Sequence, residues 1–546
     1  MAQPLTGKPL VEYLVSRLSN KNLIFDLKSE KLNFELVSIS NEAPEHLSMV
    51  VIWVVFVDTV IILILDSIAN RGESMENDII FKPLQFRNLT VKNRIFRSSI
   101  SGRWDNYDGS GTQARINWEE KFARGGVGAI ITSFVPVTIR GRIMPNYATI
   151  HCDDRIPFWR KVGEKVHEYD CKFILQLSHS GRQQDIGGVE NDGLKGLSST
   201  SNTESFHGLR CQAMTLKEIK ETIQMFADGA RRARLAGLDG VELHSANGYL
   251  FNQFLSSGIN DRNDEYGGSL ENRARFLLDV IRAIRQEVGN DFHLQFKISA
   301  IDYNDAVIPC EKPGNTLEES VQICKWAEKA GADAVHVSVG SLFPHPLNPI
   351  GDFNFDVITK TYDTMLSSGE NTTRNYILFR YKLLHPIFKF LWNRVKRKLP
   401  PPAFTGDDVA DDVMRKLLAE NQGRNLLSSQ AIKQAVNIPV LCTGGFQQGS
   451  FIRKAIEDGY CDGVTIARQL IANNDLAKQL QQGKDLPDRP CTYCNKCLLN
   501  VIENPLGCYE LSRFDNDYDA MIKEVMSVFH SDDSAKHNAE VPALHI

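Results

Sequence analysis

The stretch Thr215–Ala246, TLKEIKETIQMFADGARRARLAGLDGVELHSA, holds one full cycle of the architecture. Thr215 with Glu218 three residues later has the capping-box pattern, in which two side chains satisfy backbone N–H groups that a helix start leaves without partners. An amphipathic helical pattern then runs over Leu216–Ala236. Gly237 ends it, because the left-handed conformation of a helix cap costs glycine nothing. A short β-rich run, Gly240–Ala246, follows almost at once. The same cycle recurs along most of the chain. Strands are expected at Arg94–Ser99, Val127–Phe134, Lys172–His179, Gly240–Ala246, His293–Ala300, Ala334–Gly340, Pro439–Gly445 and Gly463–Arg468. Further helical patterns cover Asn272–Val288, Leu317–Ala330 and Phe451–Asp458, with a second capping box at Thr316 and Glu319 and a second glycine stop at Gly331. Strands alternating with helices pair in parallel, and eight of them close a (β/α)8 TIM barrel. The rival, an open doubly wound sheet, calls for GxGxxG after a strand, a pattern this sequence lacks.

Composition agrees with an α/β globular chain. The 546 residues are 42% hydrophobic and 24% charged, near the average soluble protein, which excludes a mostly disordered, collagen-like or polytopic membrane chain. With 62 Lys and Arg against 67 Asp and Glu, the net charge of −5 provides no basic field of the kind a nucleic-acid partner needs. Eleven cysteines are too few for a disulfide scaffold of this length, and Cys491, Cys494, Cys497 and Cys508 cluster together. Such clustering indicates a reducing, cytoplasmic setting and metal or Fe–S chemistry rather than secretion.

Segments of different texture divide the chain. Residues 1–74 form an N-terminal extension with one apolar run, 49–65, MVVIWVVFVDTVIILIL. Its length is at the lower edge of a single membrane span, and Asp58 in its middle opposes insertion. The alternative is that the extension is not part of the working protein, since Met75 opens a sequence that reads like a natural start. The barrel covers 78–485 and is interrupted between strands six and seven by a long helical insertion, 342–428, far beyond an ordinary loop. Within it, 374–398 (RNYILFRYKLLHPIFKFLWNRVKRK) carries eight Lys or Arg, no acid and six aromatics. Basic and aromatic residues at helical spacing suit a peripheral membrane helix. They equally suit a helical hairpin, split by Pro386, packed on the barrel or on another copy in a homo-oligomer. Residues 400–425, opening with Pro400, Pro401 and Pro402, have the composition of a linker, 486–510 is a Cys-rich segment, and 511–546 is a polar tail with one short helix near Ala520–Val528.

In a barrel of this kind the chemistry sits where strands end. Strand four exits through His244-Ser245-Ala246-Asn247-Gly248-Tyr249. His244 and Asn247 can both donate to one oxygen and polarise a carbonyl, and Tyr249, a phenol with an ordinary pKa of about 10, can give a proton. Alternatively, the first two simply cap the strand. Strand seven ends in Thr443-Gly444-Gly445 and strand eight in Ala467-Arg468, a pattern suited to a phosphate held by backbone N–H groups and an arginine. A tight turn beside a surface arginine is the structural alternative.

The run Asn260 to Phe276, NDRNDEYGGSLENRARF, resembles the N-x-R-x-D-x-Y-G-G-S-x-E-N-R-x-R-F signature of the old yellow enzyme, or NADH:flavin oxidoreductase, family, which includes the barrel half of 2,4-dienoyl-CoA reductase. Lys92-Asn93-Arg94, Gly125-Gly126, Gln176 to Arg182 (QLSHSGR) and the His244–Tyr249 segment join it, and the resemblance covers roughly 78–341 and 429–510. It implies a barrel that binds FMN noncovalently, takes hydride from NADH or NADPH and reduces the C=C bond of a small α,β-unsaturated carbonyl compound. Carried over by position, Ser99 and Ser101 flank the flavin ring, Gln176 bonds its pyrimidine part, and Lys297 stands where the family has Arg, a point charge in place of a bidentate fork. Gly444, Gly445, Ala467 and Arg468 hold the phosphate, with Ala467 replacing the usual Gly. His244 and Asn247 grip the substrate oxygen, and Tyr249 donates the proton.

The four clustered cysteines resemble the [4Fe–4S] segment of the dienoyl-CoA reductase branch, one residue shorter in two spacings, and only 38 residues follow Cys508. A cluster, zinc or free thiols all remain open on this reading. So do an Fe–S-containing dienoyl- or enoyl-CoA reductase-like enzyme, a phosphate-binding barrel enzyme without flavin, and a membrane-associated binding protein acting through 49–65 or 374–398.

Overall fold

The computed structural model describes residues 78–184, 195–205, 207–306, 312–342, 345–352, 354–357, 369–396, 400–407, 409–501 and 504–530. The apolar run 49–65, the rest of the extension, the end of the basic run at 397–398 and residues 531–546 of the C-terminal tail lie outside the described residues. Among those described, no helix is long and apolar enough to cross a membrane.

Eight parallel strands close a barrel: β1 (Ile95–Arg97), β2 (Ala129–Ile131), β3 (Lys172–Ser178), β4 (Gly240–Ser245), β5 (His293–Ser299), β6 (Ala334–Ser338), β7 (Val440–Thr443) and β8 (Gly463–Ile466). Each pairs with its sequence neighbour, β8 pairs with β1, and the ring is complete. All eight expected strands are present, each shorter than its apolar run, because the outermost residues turn into the loops that carry the site. The helices Leu216–Leu235 and Leu317–Ala330 start with both capping boxes formed.

Successive strand residues point to opposite faces. Val241, Leu243, Leu294, Phe296, Val335, Val337 and Val464 belong to the core beneath the surrounding helices. The alternate set faces inward and is layered. At the foot, Phe96, Ala129, Ile131, Ile174, Ala334 and Leu441 pack against Leu84, Phe86, Leu89 and Val91 of an N-terminal hairpin that plugs the barrel. Above them lies a polar layer: Gln176, Glu242, Gln295, His336, Thr443 and Thr465, all buried except Thr443 at the upper rim. The register sets Gln176 beside Glu242, Lys297 beside both His244 and His336, and Thr443 beside Thr465.

The insertion contains the helices Thr372–Arg380, His385–Lys396 and Asp412–Asn421, and the helix Leu426–Lys433 crosses its end. The break within the basic segment falls at Lys382–Leu384, and Pro386 sits in the first turn of the next helix, where its missing N–H has no partner to lose. The short C-terminal helix runs over Tyr518–Met526.

Candidate active site

The strand exits at one end of the barrel surround a cavity of about 300 Å³, and every catalytic and cofactor residue nominated from sequence lines it. From β1 come Ser99 and Ser101, from β3 Gln176, from the exit of β4 His244, Asn247 and Tyr249, and from β5 Lys297. Gly444 and Gly445 follow β7, and Ala467 and Arg468 follow β8.

Glu242 organises the floor. Gln176 Nε2 donates to its Oε1 at 2.8 Å, while Gln295 Nε2 and His336 Nδ1 donate to its Oε2, His336 at 2.8 Å. His336 Nε2 meets the hydroxyls of Thr443 and Thr465 at 2.7 and 2.8 Å. Burial pushes the Glu242 carboxyl up, but His336 and Lys297 outweigh it and hold it below the usual carboxylate range. Burial lowers Lys297, and Glu242 opposes the shift. Lys297 Nζ lies 3.5 Å from Ser99 Oγ. Facing a carboxylate, the Gln176 amide must present its nitrogen, so its oxygen is turned away. That Oε1 is buried without a partner.

His244 Nδ1 is likewise buried without a partner. Burial first, then the charges of Lys297 and His336, hold this imidazole well below its usual range, so it is neutral at pH 7. The Tyr249 ring stands edge-on to it at 4.7 Å and to Phe134 at 4.9 Å. Burial and the nearby Tyr147 push the Tyr249 phenol far up, so it keeps its proton. Asn247 adopts φ 60°, a left-handed conformation that asparagine tolerates, and its N–H donates to Ser299 Oγ at 3.1 Å. Its amide nitrogen donates to Val339 O at 3.1 Å and Ser338 Oγ at 3.3 Å, so it faces the β6 exit rather than pairing freely with His244. Gly248 must be glycine: its φ is +78°, and a Cβ would sit 2.2 Å from the Ser341 carbonyl oxygen.

At the phosphate-type turn, Gly445 has φ +70°. Arg468 lies with its guanidinium 5.5 Å from the Tyr493 ring centre and bonds Asn495 Oδ1. A second cation, Arg424, lines the same cavity, brought there because Gly423 N–H donates to Gly444 O at 2.7 Å. Its Nε is buried without a partner. Sequence reading missed Arg424 because it lies inside the insertion rather than at a strand exit. Phe134 and Tyr147, which wall the cavity beside Tyr249, were missed for the corresponding reason: each reads as an ordinary apolar position.

Cys491, Cys494, Cys497 and Cys508 converge on a separate cavity of about 10 Å³, together with Arg468. That is room for about one water. Burial raises the Cys491 thiol and pushes Cys494 up to about 12. Among the described residues no three His, Cys, Asp or Glu side chains are grouped to hold a metal ion.

The cavity does fit a flavin nucleotide. An orphaned acceptor on Gln176, a buried ammonium on Lys297 and a glycine turn flanked by Arg424 and Arg468 match an imide, an electron-rich ring and a phosphate.

Residues 79–373 match the model of the NADH:flavin oxidoreductase / NADH oxidase family. The NADH oxidase of Thermoanaerobacter brockii is 31% identical over 445 residues, 79% of this chain and 57% of that protein. An NADPH dehydrogenase of Halalkalibacterium halodurans is 37% identical over 270 residues, 49% of this chain and 75% of its own. Two solved structures share the fold: a 2-naphthoyl-CoA reductase complex (TM-score 0.60, 22% identity, 81% of this chain and 58% of that one) and the old yellow enzyme homologue of Zymomonas mobilis (TM-score 0.53, 19% identity, 76% and 96%). The chain thus spans little more than half the length of the larger relatives it matches.

Proposed function

Since the chain belongs to the NADH:flavin oxidoreductase / NADH oxidase family, we propose that it is an FMN-dependent ene-reductase, using NADH or NADPH to reduce the C=C bond of an α,β-unsaturated carbonyl compound. The observation that carries this reading is the pair of orphaned buried atoms in one cavity, Gln176 Oε1 below and His244 Nδ1 beside Tyr249. When bound, FMN supplies hydride transfer, accepting from the nicotinamide and donating to an electron-poor alkene.

The chain's own residues do the rest. Gln176 and Lys297 orient the cofactor's pyrimidine part and offset its charge, while Gly444, Gly445, Ala467, Arg468 and Arg424 receive its phosphate. Ser99 and Ser101 flank the ring. Neutral His244 donates a ring N–H to the substrate oxygen without presenting a full charge, and so polarises the carbonyl. Asn247 joins it by exchanging its bonds to Val339 and Ser338. Phe134, Tyr147 and Tyr249 exclude water from the same face. Tyr249 holds a proton on Oη through the neutral pH range and delivers it to the substrate α-carbon.

The Tyr249→Phe variant tests the assignment. Reduction of bound FMN by NADPH should proceed at the wild-type rate, while alkene reduction slows by about 10²-fold or more, the usual worth of a positioned acid. Equal loss in both half-reactions would refute the role of Tyr249, and a colourless protein that takes up no FMN would refute the whole reading.

A further inference from the structure

Between Arg374 and Lys396 the chain carries six Lys or Arg and no Asp or Glu. It folds as the helices Thr372–Arg380 and His385–Lys396, and the second is apolar on both sides. Its inner side uses Phe388, Trp392 and Val395. Phe388 packs with Phe355 and Phe379, Trp392 Nε1 donates to Gly351 O at 3.4 Å, and Val395 is buried with Leu347 and Ile350. Its outer side shows Ile387, Phe390 and Leu391, 55%, 63% and 47% exposed, and the turn before it adds Tyr381 and Leu383 at 60% and 89%. Single exposed hydrophobic side chains need no explanation, but a run of five on one short segment marks a contact surface. This helix presents apolar side chains on two sides and is enclosed on only one of them.

The charges interleaved with that run identify the partner. Arg380, Lys382, Lys389 and Arg394 are exposed among the apolar side chains. A second copy of the chain, docked about a two-fold axis, would set this cationic patch against itself. An anionic bilayer satisfies both features: the acyl boundary takes Leu383, Ile387 and Phe390, and the headgroups take the cations. We infer that the segment Arg374–Lys396 is a peripheral docking face for an anionic lipid bilayer. Its inner side rests on Leu347, Ile350 and Leu499, which also line the active-site cavity, so the docked segment contacts lipid on one side and the cavity wall on the other.

Flotation of the full-length protein with phosphatidylcholine vesicles, with and without phosphatidylserine, tests this. The protein should float with the phosphatidylserine vesicles and be released by salt. Each of Lys382→Ala, Lys389→Ala and Arg394→Ala should weaken binding about fivefold. The double variant Leu383→Glu/Phe390→Glu should lose it by at least tenfold while keeping the melting profile and flavin content of the parent. Three results overturn the inference. One is equal binding to neutral vesicles. Another is unchanged flotation of the double variant, which would place the contact elsewhere in the chain. The last is a parent that self-associates without floating and a double variant that does not self-associate, which would make the occupant a second copy.

Discussion

Replacing Glu242 by Gln tests whether the cavity floor sets the polarity of the cofactor site. The carboxylate takes Gln176 on one oxygen and both Gln295 and His336 on the other. An amide can keep only one of these oxygens. If it keeps the one shared by Gln295 and His336, its NH2 group meets the Gln176 nitrogen, two donors face each other, and Gln176 must flip. The cavity then receives an amide N–H where it had an acceptor. A cofactor imide N–H opposed by a donor loses its bond and stays unsatisfied, a loss of about 1–3 kcal/mol, or roughly 5- to 150-fold in affinity. The same change removes the carboxylate charge that opposes the lowering of Lys297, so the buried ammonium is held less firmly and the protein should melt at a lower temperature. FMN fluorescence titration of the apoprotein measures the first effect and thermal denaturation the second. In a Gln176→Ala background the effect of Glu242→Gln on FMN affinity should shrink markedly. A folded Glu242→Gln protein that binds FMN within twofold of wild type would refute the reasoning.

Arg424→Ala should weaken FMN by about tenfold, as expected for a lost charge-assisted bond, and leave riboflavin affinity unchanged; equal loss for both ligands would contradict a phosphate contact. Gly445→Ala forces a side chain into a left-handed position and sets its Cβ 2.7 Å from the Asn421 carbonyl oxygen, so it should cost about 1–2 kcal/mol and lower both melting temperature and FMN retention. Because His244 is already neutral, KM for the alkene should stay flat between about pH 6 and 8, and an inflection near 6.5 would show a titrating imidazole there. Burial, with Arg140 nearby, lowers His179 from 6.5 to about 3. The unfolded chain takes up that proton first, so the contribution is complete above 6.5 and declines by about 1.4 kcal/mol per pH unit as pH falls toward 3. Urea midpoints at neutral and mildly acidic pH measure the decline, and an unchanged midpoint would contradict it.

The barrel was legible because its signals are local. Capping boxes at Thr215 and Thr316, glycine stops and short apolar runs all follow from neighbours in sequence, and parallel pairing follows from their alternation. His244, Asn247, Tyr249, Gly444, Gly445, Ala467 and Arg468 were legible for a related reason, since they follow strand ends and the barrel brings those ends to one rim, whereas Ser99, Ser101, Gln176 and Lys297 came from the family resemblance. Arg424 escaped because its position depends on a backbone bond from Gly423 to Gly444 across the end of the insertion. The orientation of the Asn247 amide escaped because Val339 and Ser338 are about ninety residues away in the chain. The function of Glu242 escaped too, because inside a strand an inward carboxylate has meaning only through partners on other strands.

The hairpin at the foot of the barrel has a consequence for reactivity at the opposite end. Phe86 stands 4.9 Å from the His293 ring, His293 bonds Gln295 at 2.9 Å, and Gln295 in turn bonds Glu242. By sealing the foot against water, Leu84, Phe86, Leu89 and Val91 keep the local dielectric low around Glu242 and Lys297, where their attraction is strongest. A stopper of four apolar side chains thereby bears on how firmly the Lys297 ammonium is held in the cavity above, although none of the four lines that cavity.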